Sequence, residues 1–180
     1  MGKVLGIGNA LVDIMTKLES DELLNDFSLP KGSMQLVDNE SVKKVMSGTE
    51  HLEKKISSGG SAANTIHGLA KLNIETGFMG KVGNDEFGQF FENDLKESGI
   101  SPKLYKSKNN SGHAVALISP HSERTFATFL GAAVELSAED LSSSHFKDFD
   151  YFHIEGYLVQ NHDLIEKALK LAKGNNKHCF

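Results

Sequence analysis

Along the chain, short continuous apolar runs take turns with apolar residues spaced at the helical period. The runs KVLGIG (3–8), TGFMGKVG (76–83), AVALIS (114–119), RTFATFL (124–130) and DYFHIEG (150–156) predict five strands. Between them, Phe87, Phe90, Phe91 and Leu95 share one helical face ahead of Gly99. Leu164, Ile165, Ala168, Leu169 and Ala172 do the same from about Asp163 to Lys173, before Gly174. Ser137 and Asp140 have the spacing of a capping box, with Leu136 and Leu141 placed to staple it. The final KHCF reads as a strand beginning. This alternation predicts an α/β domain.

A second set of strand-like segments does not fit a purely doubly wound sheet. VDIMTKL (12–18), GSMQLVD (32–38), GHAVALIS (112–119) and RTFATFL alternate or run apolar, and the last two are joined by a turn too short for a crossover helix. A small antiparallel sheet is therefore expected, with strands drawn from about 12–18, 32–38 and 103–130. It should sit as a lid over the carboxyl ends of the main sheet, where α/β folds bind ligands.

Composition narrows the function classes. The 180 residues, 39% hydrophobic, suffice for one sizeable core. No apolar run reaches transmembrane length, and the N-terminus shows no secretory pattern. With Cys179 as the single cysteine, a reducing cytoplasm is the expected location. Net charge is −5, Arg124 is the only arginine, and the lysines lie among acidic neighbours, which argues against a nucleic-acid surface. The eight histidines show no i,i+4 pair and no cysteine partner, so no metal ligands are assigned.

Candidate chemistry centres on SSGGSAANTIHGLAKLN, residues 57–73. A helix starting after a Ser61 cap would turn Ala62, Ala63, Ile66, Leu69 and Ala70 inward and leave Asn64 nearly opposite, free to meet a ligand. Gly59 and Gly60 would let backbone approach that ligand closely, and the first helical amides would remain available as donors. Spacing alone fits an ordinary loop-to-helix junction equally well. Near the N-terminus, GIGNALVD ends the first strand and supplies Asn9 and Asp13. Leu11 stands where a dinucleotide fingerprint needs its third glycine, and no phosphate-loop motif occurs.

Taken together, GNALVD, GGSAAN with the downstream GKVGNDEFG, and ERTFATFLGAA resemble, in order, the amino-terminal half of the ribokinase-like (PfkB) carbohydrate and nucleoside kinase family. GGS followed by Asn is more similar to the adenosine-kinase branch than to the ribokinase branch. The resemblance implies a three-layer α/β/α sheet with a small β-sheet lid, present here in part, the C-terminal half being missing. It implies ATP and Mg2+ as cofactors and transfer of a phosphoryl group to a primary hydroxyl of a sugar or nucleoside. Carried onto this chain, Asp13 would accept hydrogen bonds from two hydroxyls, with Asn9 and Asn64 completing those contacts. Gly59 and Gly60 would let the sugar ring lie on the main chain, Ser61 would reach a hydroxyl or base, and Glu155 matches a substrate-side position. Leu11, Leu36 and Phe129 would form apolar walls, and Arg124 would approach the phosphate path. The resemblance also leaves room for a homodimer formed through the lid.

The family's G-A-G-D and N-x-x-E strings occur nowhere in the chain, so no residue is assigned as the catalytic base and none to the metal. Three readings therefore stand: the substrate-binding half of a kinase, inactive alone; a binding module without chemistry; and an unrelated nucleotide-cofactor protein.

Overall fold

A computed structural model describes residues 2–180. In chain order the elements are β1 (Val4–Ile7), β2 (Leu11–Lys17), α1 (Glu22–Asp26), β3 (Met34–Leu36), α2 (Asn39–Gly48), β4 (Lys54–Gly59), α3 (Ser61–Lys71) and β5 (Thr76–Gly83). They continue with α4 (Glu86–Glu97), β6 (Ile100–Ser107), β7 (Gly112–Ile118), β8 (Arg124–Phe129), β9 (Tyr151–Ile154), α5 (His162–Gly174) and β10 (His178–Cys179). Short 3-10 turns fill the stretch between β8 and α5.

The main sheet is parallel throughout, in the order β10-β9-β1-β5-β6. Both of its faces are covered, which is why β1 and β5 read as nearly unbroken apolar runs. Val4 and Phe78 face α3 and α4, packing with Ile66, Phe91 and Leu95. Leu5, Ile7 and Met79 face the other way, against Phe146, Leu164, Ala168 and Ala172. These are the two helical layers of a three-layer α/β/α fold. Leu136 and Leu141 join the second core cluster, and Ser137 with Asp140 forms the capping box between them.

The lid is a mixed sheet in the order β3-β8-β7-β2-β4. β7 and β8 form the expected antiparallel hairpin, β2 runs antiparallel to β4, and β2 with β7 and β3 with β8 run parallel. One face is sealed: Val12, Ile14, Val115, Leu117 and Ala127 pack with Leu24, Val42 and Val45 of α1 and α2. The opposite face carries Leu11, Asp13 and Ala114 in register.

Two expectations about the lid need correction. The range 103–130 begins too early, because residues 103–107 belong to β6, which extends the main sheet beside β5 across Thr76–Gly83. β4 was not expected as a strand. Its Lys-Lys-Ile-Ser-Ser-Gly sequence lacks the apolar alternation that marks one, and β2 positions it through six backbone pairings. Among the described residues no helix is long and apolar enough to cross a membrane.

Candidate functional site

Between the carboxyl end of β1, the start of α3 and the lid lies a cleft of about 480 Å3, within the usual range for small-molecule sites. Ile7, Gly8 and Asn9 form its floor, and Gly60, Ser61, Ala62 and Asn64 one side. Leu11, Met34, Leu36, Ala114 and Thr128 close it from the lid, and Glu155, Tyr157, Leu158 and Gln160 face them.

Gly60 makes this meeting of elements possible. Its φ is +94°, a conformation that L side chains rarely adopt, and a Cβ there would overlap the carbonyl oxygen of Asn9. The missing side chain thus lets the β4–α3 junction rest on the β1–β2 junction. Gly60, not Ser61, is the N-cap of α3, which corrects the expected helix start by one residue. No side chain caps this helix, so its first-turn amides stay open as donors beside the cleft. Asn64 is exposed on the helix face opposite buried Ala62, Ala63 and Ile66.

Asp13 does not itself line the cleft but lies on the same lid face, beside residues that do. Leu11, two residues earlier on β2, and Ala114, its cross-strand partner, both line the cleft. The carboxyl group is half-buried, and burial alone pushes it above its ordinary range, with no donor or cation of the described residues to offset this. Its carboxyl atoms fill the space where a Gly59 side chain would begin. Gly59 was expected to make room for the ligand. It makes room for Asp13 instead.

Glu155, at the end of β9, is held by its neighbours. Its Oε1 accepts from the Thr65 hydroxyl at 3.1 Å and pairs with His153 Nε2 at 2.9 Å. Burial works to raise this carboxyl group, but donors at Ser61, His153 and Thr65 hold it below its ordinary value.

Arg124 is not brought to the cleft. Thr128 lines the cleft and Arg124 lies four residues before it on β8, roughly 13 Å away along an extended strand. It begins β8 at the far end of the hairpin, opposite Ile118, and is exposed. Leu11 and Leu36 reach the cleft, but Phe129 turns away to pack on His113. Met34, Ala114, Thr128, Leu130, Tyr157, Leu158 and Gln160 complete the walls without having been expected there.

The GKVGNDEFG block proves structural. Asp85 caps α4 through the Gly88 amide at 2.9 Å and accepts the amide and hydroxyl of Ser111 at 2.7 and 2.6 Å. Lys81 reaches Asp140 at 3.0 Å and the Glu135 carbonyl at 3.2 Å. Among the described residues no group of three or more His, Cys, Asp or Glu gathers to hold a metal ion. The polar groups that the cleft does offer include Asn9, Ser61, Asn64, Thr128, Glu155 and Gln160.

A parallel sheet flanked by helices, with a β-lid closing on the carboxyl end of its central strand, defines the ribokinase-like class of kinase folds. Comparison with solved structures agrees. An adenosine kinase from Sinorhizobium meliloti superposes with a TM-score of 0.85 at 29% identity, covering 99% of this chain and 55% of that one. A probable sugar kinase from Rhizobium etli gives 0.86 at 28% identity, again covering 99% and 55%. Among curated proteins, a 5-dehydro-2-deoxygluconokinase from Clostridium perfringens is 30% identical over 170 residues, 89% of this chain and 50% of the relative. The family model "pfkB family carbohydrate kinase" matches residues 32–180, and the chain belongs to that family. It spans about half the length of the curated relatives it matches.

Proposed function

We propose that the chain forms the acceptor-binding part of an ATP-dependent kinase that phosphorylates a primary hydroxyl of a sugar or nucleoside. The observation that carries this reading is Asp13: a recessed carboxylate without a donor from the described residues, next to the cleft's lid wall. Such a group suits vicinal hydroxyls, each able to donate a charge-assisted hydrogen bond. Asn9, Asn64 and the open amides of α3 supply further polar partners, while Leu11, Met34 and Leu36 offer an apolar wall to a ring face. Nothing in the cleft residues assigns the nucleotide, so the reading concerns the acceptor side.

Calorimetric titration with adenosine, ribose, fructose and 5-dehydro-2-deoxygluconate tests it, the last being the acceptor that the curated relatives' name implies. At least one should bind, and Asp13→Asn should weaken that binding roughly tenfold or more, the loss of about 1.5–3 kcal/mol expected for a hydrogen bond to a charged group. Unchanged affinity would remove Asp13 from the site. Binding of a nucleoside but no free sugar would support the adenosine-kinase-like branch. The competing reading, a binding module without chemistry, shares the acceptor site. It is separated by whether the bound acceptor is phosphorylated when ATP and Mg2+ are supplied.

A further inference from the structure

Two features of β9 are unexplained by the acceptor site itself. His153 is 9% exposed, and its Nδ1 is buried without a hydrogen-bond partner among the described residues. Its other nitrogen, Nε2, lies 2.9 Å from Glu155 Oε1, two residues along the chain. A carboxylate only accepts hydrogen bonds, so Nε2 must carry the proton. A second proton on Nδ1 would be a buried donor with nothing to receive it, whereas a bare lone pair there is the less costly orphan. The ring is fixed in its pocket: β9 lies between β1 and β10, His153 is paired with Gly6 across the parallel ladder, and the ring rests on Phe180 with centroids 5.0 Å apart.

On the other side, Thr65 projects from α3 and donates to the same Oε1 at 3.1 Å. One oxygen of Glu155 is thus gripped from the sheet and from the helix together, while Oε2 takes no bond from either residue; Ser61, a cleft residue, is the third donor acting on the carboxyl group. Glu155 lines the cleft, and Thr65 and His153 do not.

We infer that His153 is a positioning residue for the acceptor site, clamping Glu155 Oε1 through its Nε2–H so that Oε2 is presented to a hydroxyl of the bound sugar or nucleoside. The inference rests on the acceptor-binding reading above, but the clamp itself has a readout that needs no ligand. A free glutamate at the end of a strand would lose rotamer entropy on each binding event. Gripping one oxygen beforehand removes that cost and fixes which face of the carboxylate the acceptor meets. His153 acts through Glu155 and touches no acceptor.

Nitrogen–proton correlation spectra of the folded protein should show the His153 proton on Nε2, and an Nε2 without a proton would overturn the clamp. His153→Leu removes the donor and should move the Glu155 carboxyl titration, followed by carbon NMR, upward. His153→Gln, whose amide nitrogen stands close to the position of Nε2, should restore it. In calorimetry with whichever of adenosine, ribose, fructose or 5-dehydro-2-deoxygluconate the unaltered protein binds, His153→Leu should weaken binding about fivefold to tenfold, and His153→Gln should return it to within about twofold. An unmoved Glu155 titration, or equal affinities across the three proteins, would sink the inference while leaving the acceptor site standing. Failure of the unaltered protein to bind any of the probes would count against the acceptor reading and His153's role within it together, even with the hydrogen bond intact.

Discussion

The carboxylate of Asp13 occupies the volume that any side chain at position 59 would need. The two residues sit on adjacent antiparallel strands, where Asp13 pairs with Ser57 and Gly59 with Leu11. A methyl group at position 59 must displace the acid, whose carboxyl atoms are the three nearest to it. Gly59→Ala should therefore weaken acceptor binding roughly as much as Asp13→Asn does, on the order of tenfold. Titration calorimetry on both variants checks it, and a Gly59→Ala protein with full affinity would mean that Asp13 is free to move without loss.

Asp13 should also cost the fold something. Its folded-state pKa is raised by burial, so the native state holds the proton more tightly than the unfolded chain does. Stability then falls as pH rises from about 3.9, the ordinary value for aspartate, through the raised native value, and stays penalised above it. Asp13→Asn, which buries a neutral amide, should melt higher than the unaltered protein at pH 7. The difference should close below about pH 4. Thermal melts across pH 3–8 provide the measurement, and an Asn variant that melts lower at neutral pH would show that an unseen donor holds the carboxylate.

Asp85 should behave in the opposite sense. Although burial works to raise it, hydrogen bonds from Ser111 and Gly88 hold the carboxyl below its ordinary range. Its contribution is present above about pH 3.9 and is lost as pH falls through the lowered native value. Removing it in Asp85→Ala deletes the cap of α4 and both bonds to Ser111, a loss of about 2–3 kcal/mol. For a chain of this size that is roughly 4–10 °C in Tm at pH 7, shrinking in strong acid.

The two glycines of the α3 region should respond with opposite signs to the same change. Gly60→Ala forces an L side chain into φ +94° and against the Asn9 carbonyl, and should cost at least about 2 kcal/mol. Gly68 lies within α3, exposed, with no atom within 4 Å of a built Cβ. There the gain in helix propensity should stabilise by up to about 1 kcal/mol. Denaturant melts of the pair separate a conformational requirement from mere helix preference.

Much of this fold is legible in the amino-acid sequence. The central strands declare themselves because a parallel strand covered on both faces must be apolar nearly throughout, as Val4–Ile7 and Thr76–Gly83 are. Asn9, Gly60, Ser61, Asn64 and Glu155 were legible as cleft residues because they follow a strand end or open a helix. What stayed hidden depends on pairing between distant segments. Arg124 is close in sequence to Thr128, but only the parallel register of β2 with β7 shows that the hairpin points its turn away from the cleft. Met34 and Leu36 are 49% and 63% exposed, which looks wasteful until β3 is seen to lie beside β8 at the cleft mouth. β6 was obscured by Pro102 and four lysine or serine positions, tolerated because it is the sheet's edge. His153 gave no signal at all, since its partner is set by side-chain geometry and not by spacing.

The strand order of the lid has a consequence for the birth of the molecule. β2 meets β4 early but must wait for β7, and β3 must wait for β8, so strands within residues 11–36 lack these neighbours until residues 112–129 have left the ribosome. On the proposed reading, recognition of an acceptor waits longer still, for the wall of Glu155, Tyr157, Leu158 and Gln160. A small molecule added during synthesis should then stabilise only chains already grown past that wall, and would thereby report how far translation has run.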